Sequence, residues 1–274
     1  MLRWLIILPF CLFLQDLRWK GEQEESTGVI EQVQVNPDLR GQQIEEILRD
    51  QPNGAIRFLQ MSLDRYEREV QGYSCILVKR ERVGGKLLPM EKTECYFKEK
   101  PFSVYMNWLA GVGEAQRVLY VQGENDNKML ARPAGFIYGL AGVLAFKPDT
   151  PKARKAGRYL VTQFGIKLGS ERTLKAMLAA QARKALFVRY EGVFKVPELG
   201  DRLCYKLVRT PYTPPEDNGE VYELTLYFDV ETWLQVGSIL KGPPPDNQFI
   251  AEYFFRDVRI NPKFKADQFK KSAL

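Results

Sequence analysis

Two short motifs in this sequence have the residue types of known chemical sites. Ser238-Ile239-Leu240-Lys241 has the S-x-x-K spacing of a serine–lysine pair, which works when one helical turn brings hydroxyl and amine together. The surrounding residues alternate as a strand does, and a strand would separate Ser238 from Lys241 onto opposite faces. Gly111-Val112-Gly113 opens like a dinucleotide-binding loop, but Gln116 replaces the third glycine and a strand follows instead of a helix. Neither motif therefore predicts catalysis.

The composition lacks the commonest catalytic side chain, histidine. The 274 residues contain no histidine, which is the usual general base near neutral pH and the commonest metal ligand. Glu91, Glu94 and Asp229 fall at solvent-facing or turn positions and do not form a pair suited to acid–base work. We therefore predict that the protein is not an enzyme and has no catalytic residues, no cofactor and no metal site.

Charge is distributed unevenly along a chain whose formal net charge is +6. Residues 151–185 carry nine basic side chains against Glu171 alone, whereas residues 22–50 are acidic. A basic run is most often a solvated face, and the alternative is contact with an anionic membrane surface. Aromatic residues interleaved with lysine and arginine can stack nucleic-acid bases, but the sequence has no RNP-like run of glycine and aromatics. We predict no nucleic-acid partner.

The N-terminus has the pattern of an export signal. Arg3 precedes eleven apolar residues, Trp4–Leu14, which suit a signal peptide. A membrane span needs about 20 such residues. Residues 15–20 are large and offer no small-residue cleavage site, so a short N-terminal anchor is the alternative to cleavage. We expect an exported protein of the periplasm or cell envelope, with residues 1–20 as signal peptide or anchor and residues 21–38 as an acidic linker.

Three cysteines lie outside the N-terminal segment: Cys75, Cys95 and Cys204. The first two flank a predicted hairpin, whose turn Val83-Gly84-Gly85-Lys86 carries a strong two-residue turn signal. The simple register sets Cys75 opposite Glu94, whereas a one-residue bulge would bring the two sulfurs onto one face. A disulfide between Cys75 and Cys95 and a pair of unlinked buried thiols are therefore equal alternatives.

The remaining patterns predict helices followed by two groups of strands. Helices are predicted over Leu39–Asp50 and from Pro52 to about Val70, and a third from Ser170, its expected N-cap, to Lys184. One-sided alternation favours an α+β fold, a long curved antiparallel sheet closed by helices. The ten strands are predicted over residues 73–82, 90–98, 102–109, 117–122, 128–132, 187–196, 202–209, 221–229, 234–240 and 249–260.

Two groups of apolar side chains are candidates for ligand binding. The first shares one face of a strand and is predicted to line a groove: Phe102, Val104, Met106 and Trp108. The second belongs to residues 134–146, a segment too short to span a membrane and too rich in glycine for a firm helix. We predict that it forms a lid over the groove, with burial in the core as the alternative. The lid candidates are Phe136, Ile137, Leu140 and Leu144.

Several motifs resemble those of a bacterial family. Tyr73-Ser74-Cys75, the charged run Lys79–Arg82, the segment Lys100–Met106 and the closing Phe254–Val258 are similar to an uncharacterised family of exported proteins, a domain of unknown function. That family is similar in turn to the LolA and LppX lipoprotein-carrier superfamily. The resemblance covers about residues 55–260.

The resemblance implies an eleven-stranded LolA-like half-barrel, a single domain over residues 39–274, whose concave face binds an apolar ligand. We therefore predict a non-enzymatic exported protein, a carrier or sensor that holds a lipid, an acyl chain or a lipidated partner such as a lipoprotein in a hydrophobic groove. The alternative is a structural or interaction module of the cell envelope that binds no ligand. The apolar insert at residues 134–146 and the basic stretch after it depart from the LolA pattern.

Overall fold

A computed structural model describes residues 41–135, 142–212 and 220–274, which belong to one compact unit. In these ranges four helices are found: α1 (Gly41–Arg49), α2 (Asn53–Glu69), α3 (Pro151–Lys155) and α4 (Ile166–Ala182). The strands of the same ranges are β1 (Gly72–Val83), β2 (Lys86–Leu87), β3 (Glu91–Lys98), β4 (Ser103–Ala110), β5 (Ala115–Val121), β6 (Met129–Pro133), β7 (Leu144–Phe146), β8 (Val188–Val196), β9 (Arg202–Arg209), β10 (Glu223–Asp229), β11 (Gln235–Lys241) and β12 (Phe249–Ile260). The predicted domain boundary at residue 39 lies outside the described residues.

The strands form one antiparallel sheet in the order β7-β6-β5-β4-β3-β1-β12-β11-β10-β9-β8, with β2 paired to β1. Most strands that are neighbours in the sheet are also neighbours in sequence, because short turns join successive strands as hairpins. The exception lies at the centre, where β1 pairs with β12, for example Leu77 with Phe255. The sheet stays open, because β7 and β8 are its two edges. The predicted α+β fold with a long antiparallel sheet is confirmed, with twelve described strands in place of the expected eleven.

Helices cover one part of the sheet through an aromatic core. Phe58 of α2 is fully buried and packs its ring against Phe228 and Tyr205, at centroid distances of 5.2 Å and 5.6 Å. The hydroxyl of Ser62, one turn further along α2, donates a hydrogen bond of 2.6 Å to the carbonyl of Trp233. The apolar residues of α2 at spacings of three and four therefore form one buried face, as the sequence predicts, and this face packs on β9 and β10.

The prediction for the third long helix is wrong at its start. Helix α4 begins at Ile166, and Gly165 precedes it with a φ of 132°, a backbone conformation that favours glycine. Ser170 lies inside the helix, where its hydroxyl donates a hydrogen bond of 3.0 Å to the carbonyl of Ile166. A serine that bonds back within a helix has the same residue type as an N-cap, so residue type alone does not distinguish the two positions.

The predicted lid lies partly outside the described residues. Phe136, Ile137 and Leu140 fall in the range 136–141, which the structure does not describe. Leu144 belongs instead to edge strand β7 and pairs with Ala131 of β6. At this residue the lid prediction is wrong, because backbone pairing fixes residues 144–146 as an extension of the sheet.

Of the two registers that the sequence left open, the structure has the one with a one-residue offset between the cysteine strands. The turn keeps the simple register, with Val83 opposite Lys86, but β3 is shifted so that Cys75 pairs directly with Cys95. Both side chains are buried and carry free thiols. Burial and the neighbouring Cys95 raise the pKa of Cys75 well above its usual value. The geometry thus brings the two sulfurs to one place in the core, and their oxidation stays a prediction.

Candidate functional site

A cavity of about 760 Å³ lies between the sheet and the segment that carries α3 and α4. Ligand pockets for small molecules span roughly 300–1,000 Å³, so the cavity is large enough for an extended apolar molecule. Strands β1, β3, β4, β11 and β12 supply its floor, and residues 150–176 supply much of its roof. The apolar side chains that line it include Leu77, Met106, Trp108, Phe146, Phe164, Leu224, Leu240 and Phe255.

The four groove candidates divide between cavity and core. Met106 and Trp108 line the cavity, as predicted. Val104 is fully buried in the core, and Phe102 packs edge-on against Phe97 at a centroid distance of 5.3 Å. The last two are therefore packing residues, because Val104 belongs to the core cluster that includes Tyr66 of α2, and Phe102 packs against that cluster. From β7, Phe146 and not Leu144 lines the cavity.

A charged cluster lies on the otherwise apolar floor. Lys79 of β1 places its Nζ 2.8 Å from Glu81 Oε2 and 3.4 Å from Glu91 Oε2. All three residues line the cavity, and the Glu81 side chain is only 3% exposed. Burial alone would lower the pKa of Lys79, but the two carboxylates outweigh it, so the pKa lies above its usual value. Opposite charges within about 4 Å keep such buried groups ionised.

Neighbouring strands complete this cluster with neutral donors. The hydroxyl of Tyr253 on β12 donates to Glu81 Oε1 at 2.6 Å, and the indole Nε1 of Trp108 on β4 donates to Glu91 Oε2 at 2.6 Å. Burial and the Glu81 charge raise the pKa of Tyr253, which keeps the hydroxyl protonated. The cluster is therefore a hydrogen-bond network that crosses four adjacent strands, β4, β3, β1 and β12.

The roof over this cluster is the segment 156–165 between α3 and α4, called the strap here. A Cβ added at Gly157 would lie 3.0 Å from Glu81 Oε2, so glycine allows the strap backbone to approach the cluster closely. The guanidinium of Arg158 forms a two-pronged ion pair with Glu220, with distances of 3.1 Å and 2.7 Å. Paired donors of this kind fix orientation as well as charge, so Arg158 fastens the strap across the sheet.

The rim of the cavity combines lysines with exposed apolar side chains. Lys152 and Lys155 of α3 line the rim, and Lys152 forms an ion pair with Glu114 at 2.5 Å. Val112 of the β4–β5 loop is 40% exposed on the same rim, and Met90 and Leu109 are exposed close to it in sequence. Apolar side chains beside lysines are the residue types that suit a membrane surface.

Sequence reasoning missed the charged cluster. Glu91 is predicted to face solvent or a turn, but it lines the cavity and accepts a hydrogen bond from Trp108. Glu94 lies on the other face of β3, bonded to Tyr96, while the buried Asp229 accepts hydrogen bonds within its own turn. The sequence pattern that could have revealed the cluster is the spacing of two residues, which places Leu77, Lys79 and Glu81 on one face of a strand.

The two chemical motifs of the sequence are not assembled into a site. Ser238 lines the cavity, but Lys241 forms an ion pair with Glu223 at 3.1 Å and does not line it. Gly111 lies in the turn between β4 and β5, and Gln116 lies in β5, as the strand pattern predicts. Among the described residues, no three acidic or cysteine side chains gather as metal ligands. No helix within the same ranges is long and apolar enough to cross a membrane.

Residues 70–273 match the family described as protein of unknown function DUF1571. The chain belongs to this family. The resemblance drawn from the strand motifs is thereby confirmed at the level of a domain of unknown function. No curated protein is significantly similar to this DUF1571 chain.

Three solved structures illustrate what this DUF1571 chain is similar to in fold. The MucA/MucB complex of Pseudomonas aeruginosa is 15% identical, with 79% of this chain and 60% of that chain covered and a TM-score of 0.45. The lipoprotein LppX of Mycobacterium tuberculosis is 11% identical, with 76% and 96% covered and a TM-score of 0.42. A LolA superfamily protein of Nitrosomonas europaea is 7% identical, with 79% and 99% covered and a TM-score of 0.25. The chain thus spans less than two thirds of the MucB chain.

Proposed function

We propose that this DUF1571 protein is an exported, non-enzymatic binding protein that holds a lipid, an acyl chain or a lipidated partner in its cavity. The observation that carries the proposal is the cavity of about 760 Å³ under the strap, lined mainly by apolar side chains. An apolar space of this size is unfavourable when filled with water, and an apolar ligand would cover its walls. A carrier or sensor needs such a space and no reacting groups.

The driving force for binding is burial of apolar surface. Each buried methylene contributes about 0.8 kcal/mol, so a chain of sixteen carbons supplies roughly 12 kcal/mol before the costs of association. At the lower end of those costs, about 4 kcal/mol, roughly 8 kcal/mol remains, which corresponds to a dissociation constant of about 1 μM. This binding free energy comes from apolar burial and needs neither Ser238 of the S-x-x-K motif nor the charged cluster. That independence supports binding without catalysis.

The rim supports a second part of the proposal, contact with an anionic membrane surface. Lys155 and the side chain of Val112 are exposed at this rim, where an acyl chain would enter the cavity. Each lysine near an anionic surface contributes about 1 kcal/mol. Docking by the rim would bring the cavity to the membrane from which an acyl chain could be taken.

The first prediction concerns a ligand carried from the cell. We expect native mass spectrometry of the protein purified without detergent to show a bound apolar molecule, which solvent extraction releases as a lipid. The intact mass of the same sample is expected to lack about 20 N-terminal residues, as the signal-peptide pattern predicts. An empty protein that also binds no acyl probe would instead support an interaction module, and an intact Met1 in the cytoplasmic fraction would contradict export.

The second prediction concerns the thiols of the exported protein. Because Cys75 pairs directly with Cys95, we expect oxidation to link these two cysteines and leave Cys204 as the free thiol of residues 41–274. Burial raises the pKa of Cys204 to about 12, so the protein must be unfolded before this thiol reacts. Labelling the unreduced protein in denaturant, followed by peptide mapping, measures the outcome. Labelling of all three cysteines would show that the pair stays reduced.

A further inference from the structure

The charged cluster on the cavity floor restricts the chemistry of the ligand. We infer that the bound molecule carries a polar group that donates hydrogen bonds and is not anionic, such as a hydroxyl or an ammonium, attached to its apolar part. This inference rests on the proposed function and goes beyond it, because it selects among apolar ligands by their polar end. Acyl-chain burial by itself makes no such selection.

The formal charge of the cluster is the first argument. Lys79 contributes one positive charge and Glu81 and Glu91 one negative charge each, so the floor carries a net charge of −1. Glu81 is saturated by Lys79, by the Tyr253 hydroxyl and by the backbone N–H of Arg158 at 3.4 Å. Trp108 and Lys79 approach Glu91 through Oε2. Glu91 Oε1 has no donor among the described residues and remains an open acceptor on the cavity wall.

Two neutral side chains of the same wall are also without partners. Thr93, on the face of β3 that carries Glu91, is 1% exposed, and its hydroxyl oxygen has no hydrogen-bond partner in the described part of the chain. The side-chain oxygen Oε1 of Gln235, at the start of β11, is likewise buried without a partner. Buried polar atoms are normally satisfied, so both oxygens could accept a hydrogen bond from a ligand; the Gln235 oxygen can only accept, whereas the Thr93 hydroxyl can also donate.

Of the four described cations that line the cavity, Lys155 lies exposed at the rim and the other three are engaged. Lys79 is shared by two carboxylates, and Lys152 is paired with Glu114. Arg172 donates to the carbonyl of Gln163 and stacks 4.4 Å from the ring centre of Tyr159. A carboxylate or phosphate placed beside the floor cluster would therefore be desolvated next to a net negative charge without a cation of its own, which is strongly unfavourable. Lys155 is exposed at the rim and keeps its hydration.

The test compares three twelve-carbon ligands that differ in their polar end: dodecanol, dodecylammonium and dodecanoate. Each is titrated at pH 8 against protein loaded with the neutral fluorescent probe N-phenyl-1-naphthylamine. We expect dodecanol and dodecylammonium to displace the probe at concentrations at least about tenfold lower than dodecanoate, a ratio that corresponds to one unpaired buried charge or hydrogen bond. Equal displacement by all three, or preference for dodecanoate, would overturn the inference and leave the proposed function intact. Failure of the probe and of all three ligands to bind would overturn both.

Two variants assign the selection to named atoms. Glu91→Gln removes the net charge while its amide oxygen can still accept from Trp108, so the disadvantage of dodecanoate should shrink to less than about threefold. Glu94→Gln, the same change on the opposite face of β3, should leave the ratio unchanged. Thr93→Val should weaken dodecanol about three- to tenfold, because it removes a hydroxyl that can bond to the ligand, and this second variant keeps the proposal testable if Glu91→Gln fails to fold. An unchanged ratio in folded Glu91→Gln, or unchanged dodecanol affinity in Thr93→Val, would overturn the assignment.

Discussion

Replacing Ala176 with tryptophan is expected to weaken binding of an acyl-chain probe by about 50-fold or more. Ala176 lies on α4 and lines the roof of the cavity, so an indole at this position would occupy space that the ligand needs. Excluding about three methylenes from the cavity would remove roughly 2.4 kcal/mol of burial, which corresponds to this loss of affinity. Titration of the variant with N-phenyl-1-naphthylamine and dodecanol measures the effect.

The same helix offers a matched control for this experiment. Ala179, less than one turn further along α4, is exposed and does not line the cavity, so Ala179→Trp should bind the probe as the unmodified protein does. Both variants should keep their melting temperatures within a few degrees, since neither adds volume to a packed core. Unimpaired binding by folded Ala176→Trp would show that the ligand binds elsewhere and would contradict the proposed function.

The largest expected effect on stability is that of Phe58→Ala, a loss of about 3–5 kcal/mol in the free energy of unfolding. Phe58 is fully buried, and its ring contacts Tyr205, Phe228 and Trp233, with the third centroid 6.3 Å away. Truncation would leave a cavity that the three surrounding rings cannot fill without moving, and edge-on aromatic pairs would be lost as well. Urea unfolding followed by circular dichroism measures the change.

An exposed phenylalanine provides the comparison for Phe58. Phe187 is 56% exposed before β8, and Phe187→Ala should change the free energy of unfolding by no more than about 0.5 kcal/mol. Because the core around Phe58 is separate from the cavity lining, a folded fraction of Phe58→Ala should still bind the probe. A loss below about 1 kcal/mol in Phe58→Ala would mean that the aromatic core is not packed as described.

Residue patterns within single segments predicted the strands and helices well, because these patterns reflect which face of each segment is buried. The alternation around Met106 and Trp108 identified a strand, although residues 103–105 are buried in succession. The glycine pair at Gly84-Gly85 identified the first hairpin. The fold class followed from such patterns, because one-sided strands require a covering layer and hairpin spacing requires antiparallel pairing. The shift that pairs Cys75 with Cys95 was one of two registers that the sequence allowed.

The candidate site was predicted less completely, because its residues meet through tertiary contacts. Lys79 and Glu81 belong to a run of charged residues that is typical of a solvated strand, and their burial depends on the strap that covers them. The strap lies about 80 residues away in sequence, so no local pattern reports that contact. Val104 and Met106 share a face and a residue class, yet one is in the core and the other in the cavity wall, according to where the covering helices end.

The pairing of β1 with β12 at the centre of the sheet has a consequence for how the domain reaches its native state. These strands, residues 72–83 and 249–260, are the first and last long strands of the domain, and each joins one half of the sheet to the other. The two halves can each form from local hairpins, but the cavity floor, which includes Lys79 and Tyr253, exists only after this most distant pair has closed. We therefore expect the cavity to form late in folding, after the slow closure of a long loop.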